Sequence, residues 1–320
     1  MHIPDGFLST LVSVALWAVS IVVIGYALKR VSRDMGERQV PLMGVLAACI
    51  FAGQMLNFAV TGGTSGHLLG AALATILLGP WGAVLTMTCV VAVQALVFQD
   101  GGLLALGANL FNMAVVGVFV SYMVYQFVRR AGRGRPWTLW VGGFAAAWSS
   151  IFIASLAAAL ELAVSGTSPA NLAVPAMGLI HALIGAGEGL ITVGALGFLR
   201  AARPDLLQAA APGRTPGGRL VWVAGLAIAV ALAIASPIAS ANPDGLESVA
   251  EQLGFLESAQ PAVFTVIPDY VMPGVTDEAL ATILAGVAGT LLVFGAALGL
   301  AWARRNRTAQ QASAPPQAAE

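Results

Sequence analysis

An all-α polytopic membrane fold is what this sequence predicts, and three observations carry the prediction. Charged residues are 9% of the 320 and hydrophobic residues 58%, against roughly 25% charged in a soluble domain. The apolar residues fall in runs, several of them as long as the roughly 20 residues that a helix needs to cross a bilayer core. Once the runs are counted, all 15 basic residues fall in segments on one side of the membrane. A soluble fold has too little polar surface here to cover itself. Disorder, a nucleic-acid-binding surface and a disulfide scaffold all fit poorly, with a net charge of zero and two cysteines. Cys49 and Cys89 lie inside apolar runs and read as small packing residues.

The spans follow in order. Residues 8–28 form the first run, long enough to cross. Further runs of adequate length are 41–60, 104–128, 137–164, 174–199, 220–239 and 279–303. Two shorter runs, 68–78 and 83–98, are separated by Gly79-Pro80-Trp81-Gly82, and the Gly-Pro pair is a turn signal that splits them. The count is nine spans. The short pair is expected to be shielded by neighbouring helices, where irregular backbone is tolerated. Lys29, Arg30, Arg33 and Arg38 then share a side with Arg129, Arg130, Arg133 and Arg135. Arg200, Arg203, Arg214 and Arg219 join them, as do Arg304, Arg305 and Arg307. The positive-inside rule makes that side cytoplasmic, with the N-terminus outside and the C-terminus inside. No basic region precedes the first run, which is expected to stay rather than be cleaved as a signal peptide. Trp81, Trp137 and Trp140 fall at cytoplasmic ends, as interface anchors do.

The expected organisation is a seven-span unit over residues 1–200, a cytoplasmic linker over 201–219, and a two-span unit over 220–307. The latter encloses an external acidic segment, 240–278. Residues 308–320, rich in Gln, Ala and Pro, read as a disordered cytoplasmic tail.

Polar chemistry is sparse. There are three histidines, His2, His67 and His181. In this topology His2 and His67 both lie outside. The Met1 amine and the His2 backbone nitrogen close a five-membered chelate ring, and that nitrogen with the His2 Nδ1 closes a six-membered one. His67 can supply a fourth nitrogen. A planar all-nitrogen set favours Ni(II) or Cu(II). Pro4 stiffens the chain after the chelate, and Asp5-Gly6 is a turn that folds it back. The plain alternative stays open at this point: a terminal histidine without a task, and an interfacial histidine that only hydrogen-bonds.

Several stretches resemble one family. Met-His-Ile-Pro-Asp-Gly-Phe-Leu-Ser at the start and Gly-Thr-Ser-Gly-His-Leu-Leu-Gly at 63–70 are similar to the substrate-specific membrane subunit of cobalt/nickel energy-coupling-factor transporters, the CbiM/NikM family. So are residues 97–103 with Gly107-Ala108-Asn109, and residues 181–189. The likeness covers about residues 1–200. The final third, with Asn242-Pro243-Asp244-Gly245-Leu246-Glu247 and Pro268-Asp269-Tyr270, resembles the small CbiN/NikN accessory subunit fused to it. The resemblance implies a seven-helix core with an external N-terminus, and an ion held by Met1, His2 and His67. It further implies a transported Ni(II) or Co(II) rather than a resident cofactor, and a place in the bacterial cytoplasmic membrane. The implied partners are a transmembrane coupling subunit and two cytoplasmic ATPase subunits. Membrane lipid is a further partner, and nucleic acid is not.

Other polar residues carry looser expectations. Gln99 and Asp100 are placed to hydrogen-bond the second nitrogen of a ligating imidazole. Asn109, His181 and Glu188, with Asn112 and Gln94, are expected to form an intramembrane hydrogen-bond network. No phosphate loop and no His-Glu-x-x-His motif is present, so neither ATP hydrolysis nor zinc hydrolase chemistry is expected of the chain. Two competing readings are a secondary metal/proton transporter, with Glu161 and Glu188 carrying protons, and a membrane scaffold with structural histidines.

Overall fold

The computed structural model describes residues 2–34, 39–207 and 218–313. The chain opens with α1 (Thr10–Asp34) and α2 (Gln39–Gln54), followed by a hairpin of β1 (Phe58–Val60) and β2 (Thr64–Gly66) with Ala59 opposite Ser65. Then come α3 (Ala71–Val93), a π-helical turn Gln94–Phe98, and α4 (Leu106–Asn109), which runs through π-helical Leu110–Val116 into α5 (Gly117–Ala131). The remaining helices are α6 (Trp137–Val164), α7 (Ala170–Ala202), α8 (Gly218–Ile234), α9 (Gly245–Leu253) and α10 (Glu278–Ser313). Among the described residues, six helical segments are long and apolar enough to cross a membrane, and Gln39–Gln54 and Trp222–Ile234 are shorter apolar helices. The outer faces suit lipid: Leu11 is 80% and Phe127 72% exposed.

The segment Ala71–Phe98 is one apolar stretch in composition but not one rod. A straight helix over the 23 residues of α3 would be about 34 Å long. Yet Gln54 bonds to both sides of it, donating to the Leu69 carbonyl (2.8 Å) and accepting from Gln94 Nε2 (2.7 Å). The chain must therefore run away from Gln54 and return. The reversal is at Gly79, whose φ of 73° and ψ of 171° are non-helical, followed by Pro80, which has no N–H to give. Trp81, just past the turn, packs edge-on against Tyr26 near the far end of α1 and against Phe119.

Three expected boundaries move. The run 41–60 is not a single helix: α2 stops at Gln54, and the remainder enters the hairpin, whose turn uses Gly62 and Gly63 at φ of 84° and 77°. The tail expected to be disordered from 308 is helical through Ser313, because Ala309, Gln310, Gln311 and Ala312 continue α10 without a Gly or Pro. The linker expected over 201–219 begins as the end of α7 and a single 3-10 turn, Pro204–Leu206. Residues 208–217 and 314–320 lie outside the described residues.

The final third is packed on the first two. The Cys49 thiol donates to the Gly225 carbonyl (3.5 Å), joining α2 to α8. α10 comes so close that a Cβ on Gly289 would lie 2.2 Å from the Phe51 ring. Between these helices, the connecting segment folds back over the hairpin and the loops. Its α9 begins with a capping box: Asp244 accepts from the amides of Leu246 (2.8 Å) and Glu247 (2.9 Å).

Candidate metal centre

The N-terminal arm is held by polar contacts along its length. Asn109 grips Ile3 at both ends of its amide, accepting from the Ile3 N–H (2.8 Å) and donating to the Ile3 carbonyl (3.0 Å). The Gly102 N–H donates to the same carbonyl at 2.9 Å. The Asp5 carboxylate accepts from the amides of Leu103 (3.0 Å) and Ala105 (2.8 Å), groups left without helical partners ahead of α4. A Cβ at Gly102 would sit 2.0 Å from Asp5 Oδ1, so the arm can lie here only because that residue is glycine. Thr167 donates to the Phe7 carbonyl, and the Gln260 amide to the Asp5 carbonyl (2.7 Å). Ile3 and Phe7 are buried.

This arm sets the His2 ring against the His67 ring, stacked with centroids 5.5 Å apart and planes 20° apart. The two are 65 positions apart in the chain. His67 is 8% exposed. Its Nδ1 faces the Leu68 carbonyl at 3.0 Å. A carbonyl only accepts, so Nδ1 carries the proton and Nε2 carries the lone pair that can ligate. Burial, with the charges of the N-terminus and of His2, pushes the His67 imidazole down to about 3 and keeps it neutral. The loop that carries it is fixed from α7: Glu188 accepts from the amides of Leu69 (2.6 Å) and Gly70 (2.9 Å).

A continuous hydrogen-bond chain joins the two histidine-bearing segments. Because the Leu69 carbonyl only accepts, the Gln54 amide nitrogen must face it. The Gln54 oxygen then takes the Gln94 amide nitrogen, which leaves the Gln94 oxygen to meet His2 Nε2 at 3.1 Å. On its other edge His2 Nδ1 meets Asp100 Oδ1 at 3.0 Å, and the His2 side chain is 5% exposed. Asp100 in turn accepts from the Tyr270 hydroxyl at 2.5 Å. Burial alone would raise Asp100, but the adjacent His2 and the Tyr270 bond hold its carboxyl well below the usual carboxylate range. Burial, reinforced by the charge of Asp100, raises the Tyr270 phenol above its ordinary value, so its O–H is the donor.

The segment between α8 and α10 closes over both sides. Ser65 donates from its amide to the Pro243 carbonyl (2.8 Å) and from its hydroxyl to the Asn242 carbonyl (2.8 Å), and the hydroxyls of Thr64 and Ser248 meet at 2.8 Å. The Ile267 amide donates to the Val97 carbonyl at 2.9 Å. An open cavity is lined by His2, His67, Asp100, Asp244 and Tyr270.

The residues singled out in the sequence separate as follows. His2, His67 and Asp100 come together. Met1 lies outside the described residues. Gln99 does not meet an imidazole; its side chain accepts from the Val266 amide (3.4 Å) and donates to the Leu96 carbonyl (3.5 Å). The network expected of Asn109, His181 and Glu188 divides, because each faces a different segment. Asn109 holds Ile3, Glu188 holds Leu69 and Gly70, and His181 Nδ1 bonds the Met177 carbonyl of its own helix at 2.8 Å. Asn112 belongs to a separate pair, donating to Glu161 at 2.8 Å. Gln54 and Tyr270 were not singled out as site residues. Gln54 carried a signal, a carboxamide inside an apolar run; Tyr270 carried only its place in the Pro268-Asp269-Tyr270 stretch. Among the described residues, no three His, Cys, Asp or Glu side chains gather into a metal cage.

Comparison with known proteins agrees with this architecture. Residues 2–206 match the family profile described as the cobalt uptake substrate-specific transmembrane region, and residues 219–306 match the PDGLE domain. The NikMN-type chain of Archaeoglobus fulgidus is 42% identical over 312 residues, covering 97% of this chain and all of that one. The fused nickel transport protein NikMN of Rhodobacter capsulatus is 36% identical over 231 residues, 68% of this chain and 65% of its own length. The cobalt transport protein CbiM of Sorangium cellulosum is 36% identical over 218 residues, 65% of this chain and 95% of its own. A crystal structure described as a truncated transition metal transporter superposes with a TM-score of 0.56 at 35% identity, over 63% of this chain and 99% of that one.

Proposed function

This chain belongs to the CbiM family of substrate-specific transmembrane uptake proteins, with a PDGLE domain fused behind it, and from that premise we propose that the His2–His67 pair is where it captures its ion. The chain is the substrate-binding membrane subunit for nickel or cobalt uptake in an energy-coupling-factor transporter. It is a transport subunit rather than an enzyme, and its metal is cargo. The observation that carries the site is the stacking of two imidazoles 65 positions apart at 5.5 Å, inside a cavity that opens beneath the external segment. Metal–imidazole bonds are about 2.0–2.1 Å long and lie in the ring plane, so a shared ion takes the nitrogens at the edges of the two rings and not the space between their faces.

The donors we assign are His67 Nε2, the His2 imidazole and backbone nitrogen, and the Met1 amine. A set of this kind draws two nitrogens from side chains and two from the chain end. The His2 ring meets Asp100 at Nδ1 and Gln94 at Nε2, so ligation through Nδ1 displaces the Asp100 contact, and the ring nitrogen, the His2 amide and the Met1 amine each bind the metal without a proton, which passes to solvent. Glu188 serves this site as an anchor of the His67 loop; its carboxylate is engaged by two backbone amides, which favours an anchor over the proton carrier of a secondary transporter.

We further propose nine crossings with the N-terminus outside. The support is the six long segments and two shorter helices, with Ala71–Phe98 counted twice because it returns on itself. The seven-span unit 1–200 and the two-span unit 220–307 are the corresponding domains. A transmembrane coupling subunit and two cytoplasmic ATPase subunits complete the transporter, the chain lying in the cytoplasmic membrane of its cell. Relatives include chains from archaea as well as bacteria.

Metal analysis of protein with its native first residue tests the site. One equivalent of nickel or cobalt is expected, and its loss on adding a single residue before Met1, which consumes the amine and shifts the register. His2→Ala and His67→Ala are each expected to abolish stoichiometric metal. Retention of one equivalent in the extended protein sinks the assignment.

A further inference from the structure

We propose that Gln94 is a positioning residue for the metal centre and that Gln54 sets its direction: the Gln94 side-chain oxygen takes the Nε2 proton of His2, which leaves Nδ1 as the nitrogen that binds the ion. The proposal rests on the capture-site reading above and goes one step beyond it. It gives a task to two buried carboxamides that supply no ligand.

Four observations carry it. First, the contact lies on the edge of the ring that the metal does not use. Only Nδ1 closes the six-membered chelate ring with the His2 backbone nitrogen, and Gln94 Oε1 faces Nε2 at 3.1 Å. Ligation displaces Asp100 from Nδ1 and leaves the Gln94 contact standing. A neutral imidazole has one N–H and one lone pair, so an acceptor at Nε2 selects the tautomer that ligates through Nδ1. Second, the direction of the chain is set at its far end. The Leu69 carbonyl only accepts, so Gln54 gives it Nε2 (2.8 Å) and turns Oε1 to Gln94 Nε2 (2.7 Å); the oxygen of Gln94 is then what His2 meets. Leu69 is itself held from the other side, its N–H on Glu188 at 2.6 Å. Third, Gln94 is 0% and Gln54 5% exposed, so a reversed carboxamide has no bulk solvent to repair the mismatch. Fourth, the backbone places Gln94 at the ring. It opens the π-helical turn Gln94–Phe98, and its carbonyl accepts from the Asp100 N–H at 3.1 Å. π-Helical turns of this kind are frequent at functional sites. This one sets Gln94 on one edge of the His2 ring and Asp100 on the other. His67 has the complementary arrangement, with the Leu68 carbonyl at Nδ1 and Nε2 left to ligate. The two rings present different nitrogens, each selected by an acceptor on its opposite edge.

The test is nickel titration by calorimetry on the full chain with its native first residue and a C-terminal tag. It is paired with pulsed EPR of the Cu(II)-loaded protein, which reads hydrogen bonding at the imidazole nitrogen that does not bind the metal. Gln94→Met keeps the length and removes the acceptor. Affinity is expected to fall about tenfold or more, and the remote-nitrogen signal to change. Gln94→Glu restores an acceptor and is expected to recover both relative to Gln94→Met. Gln54→Met touches neither histidine. It is expected to weaken binding about tenfold where position 94 is glutamine, whose carboxamide is then free to reverse, and by less than about twofold in the Gln94→Glu background, where either oxygen accepts. Normal affinity or an unchanged remote-nitrogen signal in Gln94→Met overturns the proposal. So does a Gln54→Met cost that is the same in both backgrounds, because Gln54 then acts only by supporting Leu69. The comparison of backgrounds decides the matter even where Gln94→Met does not fold. His67→Ala separates the two levels. If it still binds one equivalent, the capture-site reading fails. If it does not, and Gln94→Met binds normally, only the positioning role fails.

Discussion

The Glu188 carboxylate receives the Leu69 amide at 2.6 Å, and with the Gly70 amide at 2.9 Å it pins the backbone just past His67 to α7. A buried donor left unmet costs about 1–3 kcal/mol, more than the bond itself gains. Glu188→Ala leaves two amides without their acceptor. It is expected to lower the thermal midpoint in detergent and to weaken nickel binding about tenfold or more, because the His67 ring loses its support. Glu188→Gln keeps one acceptor and is expected to fall between. A proton-carrying Glu188 predicts the opposite division, with binding intact in both variants and transport lost. Calorimetric titration alongside uptake decides between them.

Asn109 is the corresponding anchor of the other histidine. Its amide matches the Ile3 backbone as a donor–acceptor pair, at 3.0 and 2.8 Å. Asn109→Asp is expected to keep the bond from the Ile3 N–H and to repel the Ile3 carbonyl, while Asn109→Ala leaves both groups unmet in a buried place. Nickel affinity is expected to fall in both, by about tenfold or more for alanine, with the helical circular dichroism unchanged because the arm is peripheral to the helix packing. Normal affinity in Asn109→Ala removes the arm clamp from the account of the site.

Much of this was legible in the sequence, and the reasons differ from residue to residue. His2 and His67 stand out because ionisable side chains are few in so apolar a chain. The Gly79-Pro80 pair marks a reversal because its backbone consequences are local. Partnerships were not legible. Gln54 and Gln94 are 40 positions apart and Tyr270 and Asp100 are 170 apart, and no spacing rule joins residues on helices whose relative rotation is set by packing. The expected network of Asn109, His181 and Glu188 failed for that reason: three polar residues in apolar runs each need a partner, but backbone groups of three different segments supply them. The hairpin was missed because Gln54 and Asn57 only briefly interrupt the apolar run 41–60, and the glycines that end the pattern lie beyond it.

Gly79 makes the reversal testable. Its φ of 73° with ψ of 171° lies in a region that only glycine occupies at low cost, and a Cβ there meets nothing within 4 Å, so any penalty is conformational rather than steric with neighbours. Gly79→Ala is expected to destabilise the protein by about 1–3 kcal/mol, read as a lower thermal midpoint or faster unfolding in detergent. Because Gln54 reads both ends of the fold-back, nickel affinity is expected to drop as well. An alanine variant as stable as the parent means that the segment crosses as a single straight helix.

The same fold-back decides the topology, since counting Ala71–Phe98 once would reverse the sidedness of everything beyond it. Thr61 in the hairpin turn, Arg133 after α5 and Thr276 ahead of α10 are all exposed. In a background with Cys49 and Cys89 replaced by alanine, a membrane-impermeant maleimide applied to intact cells is expected to label Thr61→Cys and Thr276→Cys. Arg133→Cys is expected to react only after the membrane is opened. Labelling of Thr61→Cys and Arg133→Cys from the same side means that the chain crosses once between residues 71 and 98. Reaction of Arg133→Cys alone in intact cells inverts the molecule and moves His2 and His67 to the cytoplasm. The first result leaves the capture site standing with a different helix count. The second removes it, because an ion arriving from outside then meets the arginine-rich face and not the paired imidazoles.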